Sequence, residues 1–295
     1  MSLRQSCHIF RADSFPLVTP LRYPGAKQWF VQRAKNLLSG RGPSTLVELF
    51  AGGAVVGLSL LAAGMFDHLI LVEKDQRVAA FWREALRSDS LARNAAKFKP
   101  TLQSVRAIVD SKPSNDKEWA FWVYVKNRAS YNGLLGGGLS SEENWRFKFP
   151  GDLYQVRSLA SRITLIEGNA LEVLQQYNSA KYAAFLDPPY FFKADQLYRE
   201  HQLDHRLLFG TLADWTAPWI LTYDDCAEIR SLATEHGMPF EHVPMRDGRH
   251  RKRQELVLSN IFPDAPVLDG RICPQLPGEV MRNIRPAIQD ASISQ

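Results

Sequence analysis

Seven short apolar segments, most of them separated by stretches with helical periodicity, constrain the fold of this chain more than any other feature. The segments are Thr45–Phe50, His68–Asp75, Ile163–Gly168, Tyr182–Asp187, Trp219–Asp224, Phe240–Met245 and Glu255–Ile261. Such alternation predicts an α/β fold built on a seven-stranded sheet. No helix fits between the sixth and seventh segments, so we expect this pair to form an antiparallel hairpin.

One long stretch interrupts the alternation between the second and third predicted strands. It lacks a strong strand signal and contains a predicted helix near Lys117–Arg128. Trp119 and Trp122 fall on one face of this helix, where aromatic residues at helical spacing usually pack in a core. We therefore expect an α/β domain of residues 17–82 and 162–262, a helical insertion of residues 83–161, and a C-terminal tail of residues 263–295.

The composition narrows the class of protein. Hydrophobic residues make up 45% and charged residues 23% of the 295 residues, which is ordinary for a globular chain. No apolar run reaches the ~18 residues of a membrane span, and no secretory leader is evident, so a cytoplasmic protein is expected. Cys7, Cys226 and Cys273 are far apart, which argues against a disulfide framework and a metal site. The net charge of +5 is compatible with a polyanionic partner.

The first candidate site is the junction after the first predicted strand. The strand runs into Phe50-Ala51-Gly52-Gly53 and then a helix, and glycines there allow a ligand to approach the backbone. About 20 residues later the second strand carries Glu73, an acid placed to bind ribose hydroxyls. Together they indicate an adenosine-bearing cofactor. The alternative is a tight strand–helix turn without a ligand.

The second candidate site is Asp187-Pro188-Pro189-Tyr190, directly after the apolar segment AAFL. Tandem prolines cannot continue a central strand. They fix the backbone so that the Asp187 carboxylate and the Pro188 carbonyl can accept both hydrogens of one amino group. Tyr190 can stack on the flat ring that bears this group. The alternative for such a motif is a rigid turn in which Asp187 acts as a cap.

The third candidate site is the segment Arg22-Tyr23-Pro24-Gly25-Ala26-Lys27, just before a predicted helix. Its lysine can meet a carboxylate, and its tyrosine can stack on a ring. Taken alone, the segment is equally compatible with an ordinary turn and a solvated lysine.

In this order, RYPGAK, LFAGGA, a helical insertion and DPPY resemble the DNA adenine-N6 methyltransferases of the Dam type, the alpha-ordered amino-methyltransferases. Three further segments extend the resemblance, which covers about residues 20 to 262. KNRASYNGLL is similar to the family's recognition region, LYREHQLDHRLLFGTL to the segment after DPPY, and KRQELVLSNI to its closing strand.

The resemblance implies a Rossmann-like S-adenosylmethionine-dependent methyltransferase fold with a DNA-recognition insertion. The implied activity is site-specific methylation of a flipped-out adenine in double-stranded DNA, with S-adenosylmethionine as the cofactor. The implied catalytic residues are Asp187, Pro188, Pro189 and Tyr190. The implied cofactor-binding residues are Tyr23, Gly25, Lys27, Phe50, Gly52, Gly53, Glu73, Asn169 and Asp187. Ala54 stands where the family commonly has a third glycine, and Asn169 stands where it usually has an aspartate.

DNA binding is expected from two basic regions. The residues in the insertion are Lys126, Asn127, Arg128, Tyr131 and Asn132, and those in the predicted hairpin loop are Arg249, Arg251, Lys252 and Arg253. We expect a monomer with double-stranded DNA as its partner and no membrane association. A role beside a cognate restriction endonuclease stays open. So do two alternative functions: methylation of an RNA base or a protein amide, and DNA binding without catalysis.

Overall fold

The computed structural model of the chain describes residues 18–23, 25–191, 203–246 and 252–262, together with the paired short strands Val267–Leu268 and Arg271–Ile272. All seven predicted strands are present. They are β1 (Thr45–Leu49), β2 (His68–Glu73), β3 (Ile163–Glu167), β4 (Tyr182–Leu186), β5 (Trp219–Asp224), β6 (Phe240–Arg246) and β7 (Lys252–Ser259).

The seven strands form one sheet with the order β3-β2-β1-β4-β5-β7-β6. The strands from β3 to β5 are parallel, whereas β7 runs antiparallel to both β5 and β6. This order and these directions confirm the predicted Rossmann-like fold class and the predicted hairpin. The chain leaves β1 toward β2 and leaves β4 toward β5, so a switch point lies between β1 and β4, where open α/β sheets bind ligands.

Ten α-helices lie in the described part of the chain. They are α1 (Val31–Leu38), α2 (Val55–Ala62), α3 (Gln76–Arg87), α4 (Ser90–Lys97), α5 (Leu102–Val109), α6 (Asp116–Ala129), α7 (Gly151–Leu159), α8 (Ala170–Leu174), α9 (His205–Ala213) and α10 (Ala227–Glu235). The predicted helix near residue 117 is α6, which begins after Asn115, whose side chain accepts a hydrogen bond from the Glu118 amide at 3.1 Å.

Helices cover both faces of the sheet. In β1, Leu46 belongs to a hydrophobic cluster with α1–α7, while Val47 and Leu49 belong to a second cluster with α8–α10. This alternation follows from the two-residue period of a strand. The helices α4–α7, within the predicted insertion of residues 83–161, share the first cluster, and Trp122 donates a hydrogen bond to the Val109 carbonyl at 2.9 Å. The stretch between β2 and β3 therefore packs as a continuation of one helical layer.

Membrane-spanning helices and metal-binding clusters are both absent from the described residues. None of their helices is long and apolar enough to cross a membrane. Among the same residues, no group of three or more histidine, cysteine, aspartate or glutamate side chains is arranged to hold a metal ion. Of the predicted tail, only the two short strands fall within the described residues, and the rest lies outside them.

Candidate functional site

A cavity of about 440 Å³ lies at the carboxyl ends of β1, β2 and β4. Its volume is typical of sites for small molecules. Its walls include residues from all three predicted motifs. Those that the sequence had singled out are Tyr23, Lys27, Phe50, Gly52, Gly53, Glu73, Asn169, Asp187 and Pro189. The fold therefore brings together segments that are more than 150 residues apart in the chain.

The loop after β1 is held in an unusual backbone conformation. Phe50, Gly52 and Ala54 all have positive φ angles, of 60°, 46° and 48°. A Cβ atom on Gly52 would lie 2.9 Å from the Tyr23 ring, and one on Gly53 would lie 3.0 Å from the Leu21 carbonyl oxygen. Both glycines are thus required by the chain itself, because the segment before α1 packs directly on this loop. Ala54 takes the left-handed conformation without being glycine, which costs about 1 kcal/mol.

Glu73 connects this loop to the end of β2. Its carboxylate accepts hydrogen bonds from the Gly52 amide at 2.9 Å and from the Asp75 amide at 2.8 Å. The side chain is almost fully buried, and burial raises its pKa to about 7. Asn169, after β3, caps α8 by accepting a hydrogen bond from the Leu171 amide at 3.1 Å. An acid and an amide therefore stand at the ends of neighbouring strands on one side of the cavity.

Asp187, directly after β4, uses only one of its two carboxylate oxygens in contacts with the described residues. Its Oδ1 atom forms an ion pair with Lys27 Nζ at 2.7 Å and accepts a hydrogen bond from the Thr222 hydroxyl at 2.8 Å. Its Oδ2 atom accepts no hydrogen bond from the described residues. The side chain lines the cavity and is 24% exposed. Within the described residues, one carboxylate oxygen is therefore held in place while the other has no hydrogen-bond donor.

Lys27 lies beneath Asp187 and is only 1% exposed. Its ammonium group donates to the Gly25 carbonyl at 2.8 Å and to the Tyr190 hydroxyl at 3.3 Å. It also forms an ion pair with Glu255 at 3.7 Å. The expectation that this lysine meets a carboxylate is confirmed. Lys27 lines the cavity, and its two charged contacts are with Asp187 of the DPPY motif and with Glu255.

The sequence analysis assigned no role to two acids that the structure buries beside the site. Glu255, on β7, accepts a hydrogen bond from the Tyr190 hydroxyl at 2.5 Å. Glu48, on β1, lines the cavity and accepts a hydrogen bond from the Gly57 amide at 2.7 Å. Burial and, less strongly, the nearby Asp187 raise the pKa of Glu48 to about 8 against the opposing backbone hydrogen bonds.

The structure places three residues of the predicted DNA-binding set in the interior. Lys126, Asn127 and Arg128 are buried in α6. The Asn127 side chain accepts from the Arg22 amide at 2.9 Å and donates to the Arg22 carbonyl at 2.6 Å and the Gly133 carbonyl at 3.0 Å. Both of its N–H donors are therefore used inside the protein, and it has none left for a base edge.

The two cations beside Asn127 are also engaged in the interior. Arg128 donates to the Pro20 carbonyl and to Asp152, each at 3.0 Å. Burial lowers the pKa of Lys126. The end of α6 packs against the segment before α1 instead of facing solvent, and DNA binding by these three residues stays a prediction.

The other predicted DNA-binding residues are not contradicted. Tyr131 and Asn132 are exposed in the loop after α6. Arg249 and Arg251 lie outside the described residues, and only the backbone of Lys252 and Arg253 is described, at the start of β7. Binding by these residues stays a prediction.

Comparisons with known proteins leave the family unassigned. No protein-family model matches the chain, and no curated protein matches it. Three solved structures illustrate the similarities that were found. PH1948 of Pyrococcus horikoshii, assigned as an RNA methyltransferase, has 11% identity and a TM-score of 0.41 over 81% of this chain and 84% of its own. Precorrin-6y C5,15-methyltransferase of Geobacter metallireducens has 9% identity and a TM-score of 0.37, over 79% and 86%. M. capricolum TrmK, in complex with S-adenosyl-homocysteine, has 7% identity and a TM-score of 0.38, over 85% and 73%. These values identify no family, so the function is argued from the site.

Proposed function

We propose that this protein is an S-adenosylmethionine-dependent methyltransferase that acts on the exocyclic amino group of adenine in double-stranded DNA. The observation that carries the proposal is the difference in contacts between the two carboxylate oxygens of Asp187 at the cavity wall. Its Oδ1 is held by Lys27 and Thr222, and its Oδ2 accepts no hydrogen bond from the described residues. Directly after it, Pro188 supplies a carbonyl group and Tyr190 an aromatic ring.

The residues on the other side of the cavity fit the cofactor. Glu73 is a buried carboxylate at the end of β2, where such an acid binds ribose hydroxyls in nucleotide-binding α/β folds. Residues 50–54, in the loop after β1, line the cavity beside Glu73. We assign Glu73, Asn169 and this loop to the cofactor. When bound, S-adenosylmethionine supplies an electrophilic sulfonium methyl group.

The chemistry asked of the protein is to prepare a weak nucleophile. The lone pair of an exocyclic amine is delocalised into the base. Asp187 Oδ2 and the Pro188 carbonyl accept its two hydrogens, which favours a pyramidal nitrogen with a localised lone pair. The carboxylate also stabilises the positive charge that develops on this nitrogen. Because such a pocket is closed to a paired base, the adenine is flipped out at a cost of a few kcal/mol. Stacking on Tyr190 offsets about 1–3 kcal/mol of this cost.

A second candidate is the amino group of an RNA base. The burial of Lys126, Asn127 and Arg128 favours this alternative, because it removes the residues on which base reading in duplex DNA had rested. The carboxylate and carbonyl at Asp187-Pro188 are suited to an amine in either polymer. Two other functions remain open: methylation of a protein amide, and DNA binding without catalysis. The same experiment tests both.

The test is transfer from radiolabelled S-adenosylmethionine to duplex DNA, RNA and protein by the wild type and by Asp187→Ala. We expect label in DNA from the wild type alone, with DNA binding retained in the variant. Asp214→Ala, at the exposed end of α9, is the matched control and should keep full activity. Label in RNA alone supports the second candidate, and wild-type turnover by Asp187→Ala contradicts the proposed chemistry. Sequencing the DNA of an expressing, methylation-free host then identifies the modified site.

A further inference from the structure

We propose that Glu255 is a positioning residue, which fixes Tyr190 and balances Lys27 so that Asp187 keeps a negative oxygen for the acceptor amine. This inference rests on the proposed function. Glu255 is 2% exposed, and it belongs to none of the three candidate motifs described in the sequence.

The backbone of Glu255 is held from both sides. It lies on β7 between two other strands, opposite Asp224 of β5 and Val243 of β6. A carboxylate on such a strand has little freedom to move, because the ladders on both sides fix its Cα atom. Tyr190, in contrast, follows β4 in a segment without regular structure. The hydrogen bond of 2.5 Å between them therefore ties a loop residue to a rigid part of the sheet.

Charge balance supplies the second argument. Lys27 forms ion pairs with both Asp187 and Glu255, at 2.7 and 3.7 Å. With Asp187 as its only partner, the buried ammonium would neutralise the carboxylate on which the developing charge of the acceptor depends. Two carboxylates around one ammonium leave excess negative charge beside the amine. Burial and, less strongly, Asp187 raise the pKa of Glu255, whereas Lys27 and the Tyr190 hydroxyl oppose this rise and so favour the ionised form.

The test uses the intact protein with Glu255→Gln, Tyr190→Phe and the double variant. Glutamine keeps an acceptor for the Tyr190 hydroxyl but removes the charge, and phenylalanine keeps the ring but removes the hydroxyl. We expect each single change to lower kcat about 10- to 100-fold, with KM for S-adenosylmethionine within twofold of the wild type. The double variant should lose less than the product of the two single losses, because both changes break one contact. Glu241→Gln, on the neighbouring strand β6, is the control and should keep wild-type kcat.

The outcomes distinguish a failure of the proposed function from a failure of this inference. A wild type that methylates no acceptor overturns the proposed function and this inference together. An active wild type with undiminished kcat in Glu255→Gln, or with strictly multiplicative losses in the double variant, overturns this inference alone. So does a Glu255→Gln variant whose lost activity follows its lost folded fraction in thermal unfolding. If that variant does not fold, Tyr190→Phe, which alters a half-buried residue, tests the same contact from its other end.

Discussion

The two oxygens of Asp187 differ because of residues that lie far away in the chain. Lys27 and Thr222 bind one oxygen, and neither residue belongs to the motif that drew attention to this site. The orientation of the carboxylate is therefore fixed by the segment before α1 and by β5. A motif identifies the reacting group, whereas its tertiary partners determine which atom faces the ligand.

Glu73 offers a test of the cofactor half of the site. Glu73→Gln should weaken S-adenosylmethionine binding by about 1–3 kcal/mol, because the carboxylate that we propose accepts ribose hydroxyls becomes a neutral amide. Glu167→Gln is the matched control: Glu167 is paired with Glu73 at the end of the adjacent strand β3, but it contacts Arg83 instead. Calorimetry should show a loss for the first variant alone. Equal affinities for both variants and the wild type would mean that the cofactor lies elsewhere.

At the scale of the elements, β1 and α2 are joined by a buried contact that leaves no room for a side chain. A Cβ atom on Gly57 would lie 2.3 Å from Glu48 Oε2 and 2.6 Å from Leu69. Gly57→Ala should therefore lower the free energy of unfolding by about 1–3 kcal/mol, although alanine is the better helix former. Gly136→Ala, where nothing lies within 4 Å, should have little effect in the same denaturant titration. Unchanged stability of Gly57→Ala would show that α2 shifts freely on the sheet.

The sequence predicted the elements better than it predicted the polar residues between them. The strands were found because apolar runs and turn residues are local signals, and β5 has the bounds that were predicted. The start of β7 was placed three residues too late, since Lys252–Gln254 are polar and enter the sheet only by pairing with β6. Pairing of this kind is a tertiary effect that periodicity does not contain.

The missed acids have a common explanation. Glu48 and Glu255 each lie two residues from an inward-facing apolar residue, Leu46 and Val257, and so face the same helical layer. A two-residue period within a central strand would have placed both side chains inside the protein. The burial of residues 126–128 was missed for the opposite reason. Three polar residues at a helix end suggested a surface, but Asn127 and Arg128 bond to the backbone of residues 20–22, more than 100 positions away.

For the whole molecule, buried acids make stability depend on pH. The pKa of Glu48 is raised to about 8 and that of Glu73 to about 7, from 4.5 in the unfolded chain. Between these values the folded protein binds more protons than the unfolded chain, so the free energy of unfolding falls as pH rises from about 4.5 to about 8. Glu48→Gln should flatten this decline by about 1.4 kcal/mol for each unit by which the pKa is raised. Denaturant titrations of both proteins at pH 5 and pH 9 measure the difference, and parallel declines would contradict it.

The basic residues of the predicted hairpin loop provide a test of the proposed DNA partner. Replacing Arg251, Lys252 and Arg253 by glutamine should weaken binding to all duplexes alike and reduce the salt slope by roughly 0.9 log units per lost phosphate contact. Asn132→Ala should instead change the preference among sequences, if its exposed amide reads a base edge. Lys181→Gln, at an exposed residue just before the central strand β4, is the control. Titrations of cognate and scrambled duplexes at several salt concentrations separate these effects, and an unchanged slope in the triple variant would make the hairpin an ordinary solvated surface.

The position of β7 has a consequence for synthesis on the ribosome. Lys27 is made early, Asp187 and Tyr190 much later, and Glu255 later still, yet all four meet at one point beside the cavity. β7 also lies between β5 and β6 in the sheet. A nascent chain that lacks β7 therefore leaves β5 and β6 without their common neighbour and Lys27 without its second carboxylate partner. The growing polypeptide therefore carries the DPPY segment for some 65 residues of elongation before its electrostatic surroundings are complete. Premature termination in that interval would yield a product with the reactive motif but without the partners that orient it.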